Sequence, residues 1–186
     1  MKILVIGGSS SGKSMTAQRL THLLATSSKT PLVYLATMKP ADQEDQARIG
    51  KHIREREGWG FRTIECARDV GSCADAILGT SLLTDSTTAL LSNEMFAGKE
   101  ILQAAHNKII KDITLLSQNA SNIVVVGDNI FEDTGRYDPY SLAFIEGLGK
   151  LHRAVAEISD LVLEVTAGCV LIHKGKELVH HVRQAI

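Results

Sequence analysis

The sequence predicts a three-layer α/β fold with a mainly parallel sheet, and three observations predict it. Short runs of aliphatic and β-branched residues at 3–6, 32–37, 81–85, 123–127 and 160–165 have the length of buried strands. Helix-length segments separate most of them, and a strand-helix-strand order gives right-handed crossovers and parallel pairing. The first run passes directly into Gly7-Gly8-Ser9-Ser10-Ser11-Gly12-Lys13-Ser14, a loop that opens a helix.

That loop is a complete Walker A motif in strand-loop-helix context, which makes the predicted fold P-loop NTPase-like. Gly7 and Gly12 are expected to permit the backbone angles that turn amide N–H groups around a phosphate, with Gly8, Ser9, Ser10 and Ser11 completing the cradle. Lys13 has the reach for β- and γ-phosphates, and the Ser14 hydroxyl suits Mg²⁺. From Met15 onward, Ala17, Leu20, Leu23 and Leu24 recur at helical spacing, so the helix N-terminus adds its dipole to the phosphate site. The chain is therefore expected to bind a nucleoside triphosphate.

The 186 residues, 44% of them hydrophobic, suit one domain spanning 1–186 with a sizeable core. Twenty Lys and Arg against 21 Asp and Glu leave a formal charge of -1, so no global field draws nucleic acid or an anionic membrane, and small-molecule partners are expected. Cys66, Cys73 and Cys169 are odd in number and lack metal-type pairing, which reads as reduced structural thiols. The chain enters its first strand without a signal segment, and no apolar run approaches the roughly 18 residues of a membrane span. A cytoplasmic location is expected.

Taken in order, the strand at 32–37 follows a polar turn. Residues 40–57 have helix-forming composition but only Ala47, Ile49 and Ile53 as an apolar set, so this helix cannot be deeply buried. The simplest reading is a solvated helix with opposite charges at helical spacing, such as Glu44 with Arg48 or Lys51. Residues 61–65 suggest a short strand and 70–78 a helix. The strand at 81–85 ends in Asp85, where P-loop proteins keep a second, metal-facing carboxylate. Asp85 can also cap a helix that begins near Ser86, and the two roles can coexist.

Residues 101–116 give the longest clean amphipathic helix, followed by the valine-rich strand 123–127. The polar loop 128–139 then lies on the sheet edge that carries the Walker loop, where open α/β sheets bind ligands. A helix at 140–158, a strand at 160–165 and a terminal hairpin through 169–176 complete the sheet. His180 and His181 read as exposed helix residues, since a metal site needs further ligands.

Several segments, in order, carry a family resemblance: ILVIGGSSSGKS, VYLAT, EDQARIGKHIRER followed by FRTIE, LLTDSTTALLSN and VVVGDN. The most specific is the polar helix, where Glu44, Arg48, Ile49, His52 and Arg56 fit E-x-x-x-R-I-x-x-H-x-x-x-R. Together they resemble the bifunctional adenosylcobinamide kinase / adenosylcobinamide-phosphate guanylyltransferases of cobalamin biosynthesis. The resemblance implies two reactions at one site, phosphorylation of adenosylcobinamide by ATP or GTP and then GMP transfer from GTP to the corrinoid phosphate. It implies His52 as the guanylylated residue, Lys13 as its catalytic companion, Arg48 and Arg56 as balancing phosphate charge, Ser14 and Asp85 on Mg²⁺, and a homo-oligomer with a trimer as the family's arrangement. Histidine suits this chemistry because a large neutral fraction survives at pH 7 and a phosphoramidate stays reactive.

The chain also departs from the pattern. After the late strand the family carries N-E-x-G, whereas this chain reads Asn129-Ile130-Phe131-Glu132. In the later helix Phe144, Glu146, Gly149 and Lys150 are compatible, but His152 and Arg153 stand where the family prefers N-Q. A P-loop kinase without a covalent nucleotide intermediate and a non-catalytic nucleotide-binding regulator are the alternative readings.

Overall fold

A computed structural model describes residues 1–40, 43–98, 100–131 and 135–186; the side chains of Glu44, Asp45, Arg48 and Lys51 also lie outside the described set. Its elements are β1 (Lys2–Gly7), α1 (Lys13–Ser28), β2 (Leu32–Ala36), α2 (Gln43–Glu55), β3 (Arg62–Glu65) and β4 (Ser81–Asp85). There follow α3 (Thr87–Met95), α4 (Ala105–Asn119), β5 (Asn122–Asp128), α5 (Pro139–Ile158), β6 (Leu161–Thr166) and β7 (Cys169–Lys174). They form one seven-stranded sheet in the order β3-β2-β4-β5-β1-β6-β7, parallel except for β7, which runs antiparallel to β6 as the expected hairpin.

Each sheet face has its own core. Ala17, Leu20 and Leu24 of α1, with Val182 and Ala185 of the C-terminal turns, cover one face. Leu90 and Leu91 of α3, Ile109 and Ile113 of α4, and Leu148 and Leu151 of α5 cover the other. Strand alternation then decides where the polar strand ends go. In β4, Leu82 packs toward α3–α5 and Leu83 toward α1, so Asp85 falls on the α1 side. In β5, Val124 and Val126 pack toward α1, so Asp128 falls there too. Both acids sit at carboxyl ends of parallel strands, beside the start of α1.

Four local expectations are corrected. Residues 70–78 form two short 3₁₀ turns, Val70–Cys73 and Asp75–Ile77, rather than a helix. Gly71 packs so closely on α4 that a Cβ would stand 2.6 Å from Asp112 Oδ1, and tertiary contact overrides a weak helical pattern. The helix expected at 101–116 begins only at Ala105, because the Leu102 amide is drawn to the Met95 carbonyl at 3.0 Å to close the connection from α3. The 20-residue α5 is longer; Asp138 caps it through the amides of Tyr140 and Ser141, with Pro139 at its first position. Finally, α3 is capped by Ser86, whose hydroxyl accepts from the Ala89 amide, and Asp85 takes no part in that cap.

The three cysteines are free thiols. Burial and the adjacent Cys73 push the Cys66 thiol up to about 11, which suits a structural rather than a reactive group.

His152, one of the departures from the family pattern, is a buried residue of α5 whose Nε2 meets the Thr87 hydroxyl at 2.9 Å behind Gly127. Burial lowers its pKa to about 4, against an opposing pull from Asp128. Between pH 6.5 and 4 the unfolded chain takes up a proton that the folded chain refuses, so stability should fall with pH through that window, by on the order of 3 kcal/mol in all. Melting temperatures of wild type and His152→Gln across pH 4–7 check this. The variant should lose much of the slope, and two parallel curves would contradict the assignment.

Candidate active site

The Walker loop is built as its sequence implies, with one difference in reason. Gly12 adopts φ 94°, a left-handed conformation that glycine tolerates, at the entry to α1. Gly7 has no such angle. It is needed because β6 runs alongside, and a Cβ would stand 2.5 Å from the Val165 carbonyl oxygen and 2.6 Å from Ser11 Oγ. α1 begins at Lys13, so its unpaired amides and positive dipole end open onto the loop.

A cavity of about 500 Å³ lies in front of this loop, and Ser9 to Ser14 line it together with His52, Glu55, Asp85 and Asp128. The residues picked from two distant stretches of sequence thus meet in one space. Lys13 Nζ lies 2.7 Å from Asp128 Oδ1 and donates to the Gly8 carbonyl at 3.1 Å. Asp85 accepts from the Tyr34 hydroxyl at 3.1 Å, and the Ser14 hydroxyl lies beside it. Burial pushes the Asp85 carboxyl above its ordinary pKa, while nearby His52, those two hydroxyls and Lys13 pull it down. Burial and the Asp85 charge likewise raise the Tyr34 phenol, which therefore stays a donor.

His52 projects from α2, whose Ile49, His52 and Ile53 share a cleft with residues of β2, β3 and β4. Its side chain retains 23% exposure, less than a fully solvated helix face would give. Nδ1 is buried and stands 3.3 Å from Glu55 Oε2, an ion-pair distance without hydrogen-bond alignment. Arg56 is not among the residues facing the Walker loop. It is 9% exposed, stacks its guanidinium 4.0 Å above the Tyr34 ring and donates to Thr63 at 3.3 Å. There it lines a second cleft of about 190 Å³ that shares His52, Met38, Asp85 and Ser86 with the first. The Arg48 side chain, its proposed partner, lies outside the described residues, as do Glu132 and the suggested pairing of Glu44 with Arg48 or Lys51.

Three contributors went unnoticed in the sequence. Asp128 closes a valine-rich strand in the same way that Asp85 closes β4, so the signal was present. Glu55 stands three residues after His52 on one helix face. Tyr34 looked like core and gave no polar signal. Among the described residues no group of three or more His, Cys, Asp and Glu could hold a metal unaided, and no helix is long and apolar enough to cross a membrane.

Comparison with known proteins bears on both fold and site. A KaiC-like protein from Pyrococcus horikoshii has a similar structure, with a TM-score of 0.50 at 14% identity over 95% of this chain and 79% of that one. That likeness concerns the fold alone. The bifunctional adenosylcobalamin biosynthesis protein CobP of Pseudomonas aeruginosa is 30% identical over 183 residues, 96% of this chain and 100% of that protein. The CobU protein of Salmonella typhimurium, with the same description, is 33% identical over 99 residues, 52% of this chain and 51% of its own. Residues 3–172, which include the Walker loop, His52, Asp85 and Asp128, match the family's sequence pattern, and the chain belongs to the cobinamide kinase / cobinamide phosphate guanyltransferase family.

Proposed function

We propose that the chain phosphorylates adenosylcobinamide with ATP or GTP and then transfers GMP from GTP to the new phosphate through His52, in the cytoplasm, giving adenosylcobinamide-GDP. The observation that carries this reading is that His52 and Lys13 line one cavity. In the second reaction an imidazole nitrogen attacks the α-phosphorus, an N–P bond forms, and the bond to pyrophosphate breaks. An oxygen of the corrinoid phosphate then attacks the same phosphorus and the N–P bond breaks, which returns the free imidazole. Glu55 beside Nδ1 stabilises the positive charge that develops on the ring.

The smaller cleft suits the base. Met38, Ile49 and Ile53 offer apolar walls to its faces, and Arg56, Thr63 and Glu65 offer polar groups to its edge. Arg56, expected to balance phosphate charge, serves this cleft instead. Ser14 and Asp85 are hard oxygen donors side by side in the phosphate cavity, which fits Mg²⁺ completed by phosphate oxygens. Bound there, the ion would neutralise phosphate charge.

Asp85→Asn separates site from scaffold. Because burial already works against the ionised carboxyl, the amide should leave stability within about 1 kcal/mol while Mg²⁺-dependent turnover falls on the order of 10²-fold. Calorimetry beside an Mg²⁺ titration of turnover reads both, and equal losses would mark Asp85 as structural.

The function itself is tested by supplying adenosylcobinamide with γ-³²P-ATP or α-³²P-GTP. Both labels should reach the corrinoid, with an acid-labile, alkali-stable label on the protein from α-³²P-GTP. Transfer of the γ-label without a protein adduct would point to a simple kinase, and binding without turnover to a regulator.

A further inference from the structure

The kinase step needs a group to take the proton of the attacking hydroxyl, and three carboxylates line the phosphate cavity among the described residues. Two are committed elsewhere. Asp85 is engaged by Ser14 and Tyr34, and Glu55 lies against His52. Asp128 stands between Asp85 and the loop, on β5 immediately next to β1, paired in register with Gly7.

Its placement is fixed by backbone. The Asp128 amide donates to Thr88 Oγ1 at 3.0 Å, and the next amide, Asn129, donates to the Gly7 carbonyl at 2.9 Å. The carboxylate is 29% exposed, open to the cavity, and 2.7 Å from Lys13 Nζ. A group that close to the Walker ammonium lies within a few ångströms of any phosphoryl oxygen the same ammonium grips. Facing a triphosphate, a bare carboxylate is repelled unless a cation screens it or a proton donor stands between. Lys13 supplies the first, and an acceptor hydroxyl supplies the second while presenting its oxygen to the γ-phosphorus.

We infer that Asp128 is a catalytic residue of the kinase step, hydrogen-bonded to the acceptor hydroxyl and receiving its proton; this rests on the proposed kinase reading. The hydroxyl oxygen forms the new bond to the γ-phosphorus as the bond from that phosphorus to the β-bridging oxygen breaks. The nucleoside diphosphate leaves with the bonding electrons, the proton passes to an Asp128 carboxylate oxygen, and Lys13 remains protonated throughout.

The test compares wild type, Asp128→Asn and Asp128→Glu for γ-³²P transfer from ATP to adenosylcobinamide and for covalent labelling by α-³²P-GTP. Asp128→Asn should lower the kinase kcat on the order of 10²- to 10³-fold with the KM for ATP within about threefold, and lower protein labelling far less. Asp128→Glu keeps the charge but displaces it by one methylene, so it should also lose about tenfold or more in kcat. Should the Asn variant fold poorly, the Glu variant alone decides. If Asp128 is only a counter-ion for Lys13, the Asn variant binds ATP more tightly with kcat intact, and the inference is overturned. Equal losses in kinase and labelling overturn it as well, since they mean damage to the shared cradle. Wild-type protein that labels with GMP but phosphorylates no corrinoid overturns the kinase reading itself, a result that does not depend on any variant.

Discussion

Lys13→Ala is expected to lower both phosphoryl transfer and GMP transfer by on the order of 10³-fold. Lys13 is held at the floor of the phosphate cavity by the Gly8 carbonyl and Asp128, so its ammonium is poised before nucleotide arrives. Preorganised charge of this kind contributes several kcal/mol in a transition state that spreads negative charge over phosphoryl oxygens. Folding should suffer little, by about 1 kcal/mol, because Asp128 keeps access to solvent once its partner is gone. Steady-state assays of both reactions beside a thermal melt check this, and near-normal turnover in a folded variant would refute the assignment of the Walker site.

His52→Ala is expected to abolish covalent labelling by GTP while phosphorylation of the corrinoid persists in part. The kinase step needs the Walker loop, Lys13 and a positioned hydroxyl, none of which the imidazole supplies. Stability should change by no more than about 1 kcal/mol, since alanine is a better helix former and the buried Nδ1 has no hydrogen bond to lose. Parallel loss of both activities would assign His52 to nucleotide binding in general.

The comparison of sequence with structure divides by the range of the forces involved. The central strands announced themselves because both their faces are buried, as in the aliphatic Ile3 to Ile6 and Val124 to Val126, and the Walker loop because its chemistry fixes both residue types and spacing. His52 was legible only through the family pattern. By periodicity alone α2 is a solvated helix, and the turn that follows it meets the sheet through Arg56 stacked on Tyr34. Arg56 shows the limit of spacing arguments: four residues from His52 suggests a shared phosphate, but the cation reaches an aromatic ring in the neighbouring cleft. The helix expected at 70–78 failed for a similar reason, because contact with Asp112 depends on a partner some 40 residues along the chain.

Asp128 illustrates a signal that was present and unused. Period-two alternation along β5 sends it to the same face as Asp85, and parallel register sets it beside the Walker glycine. Sequence reading needs the strand order before such an acid can be matched to its lysine, and the crossover from β4 through β5 to β1 is a property of the whole sheet.

The central claim, that one histidine carries GMP, is tested most directly by locating the adduct. Wild-type protein treated with GTP, digested under alkaline conditions and sequenced by mass spectrometry should carry GMP on the peptide containing His52, with the label lost in acid and retained in alkali. Finding GMP on another of the seven histidines, on a lysine, or on no residue while GMP still reaches the corrinoid would contradict the account.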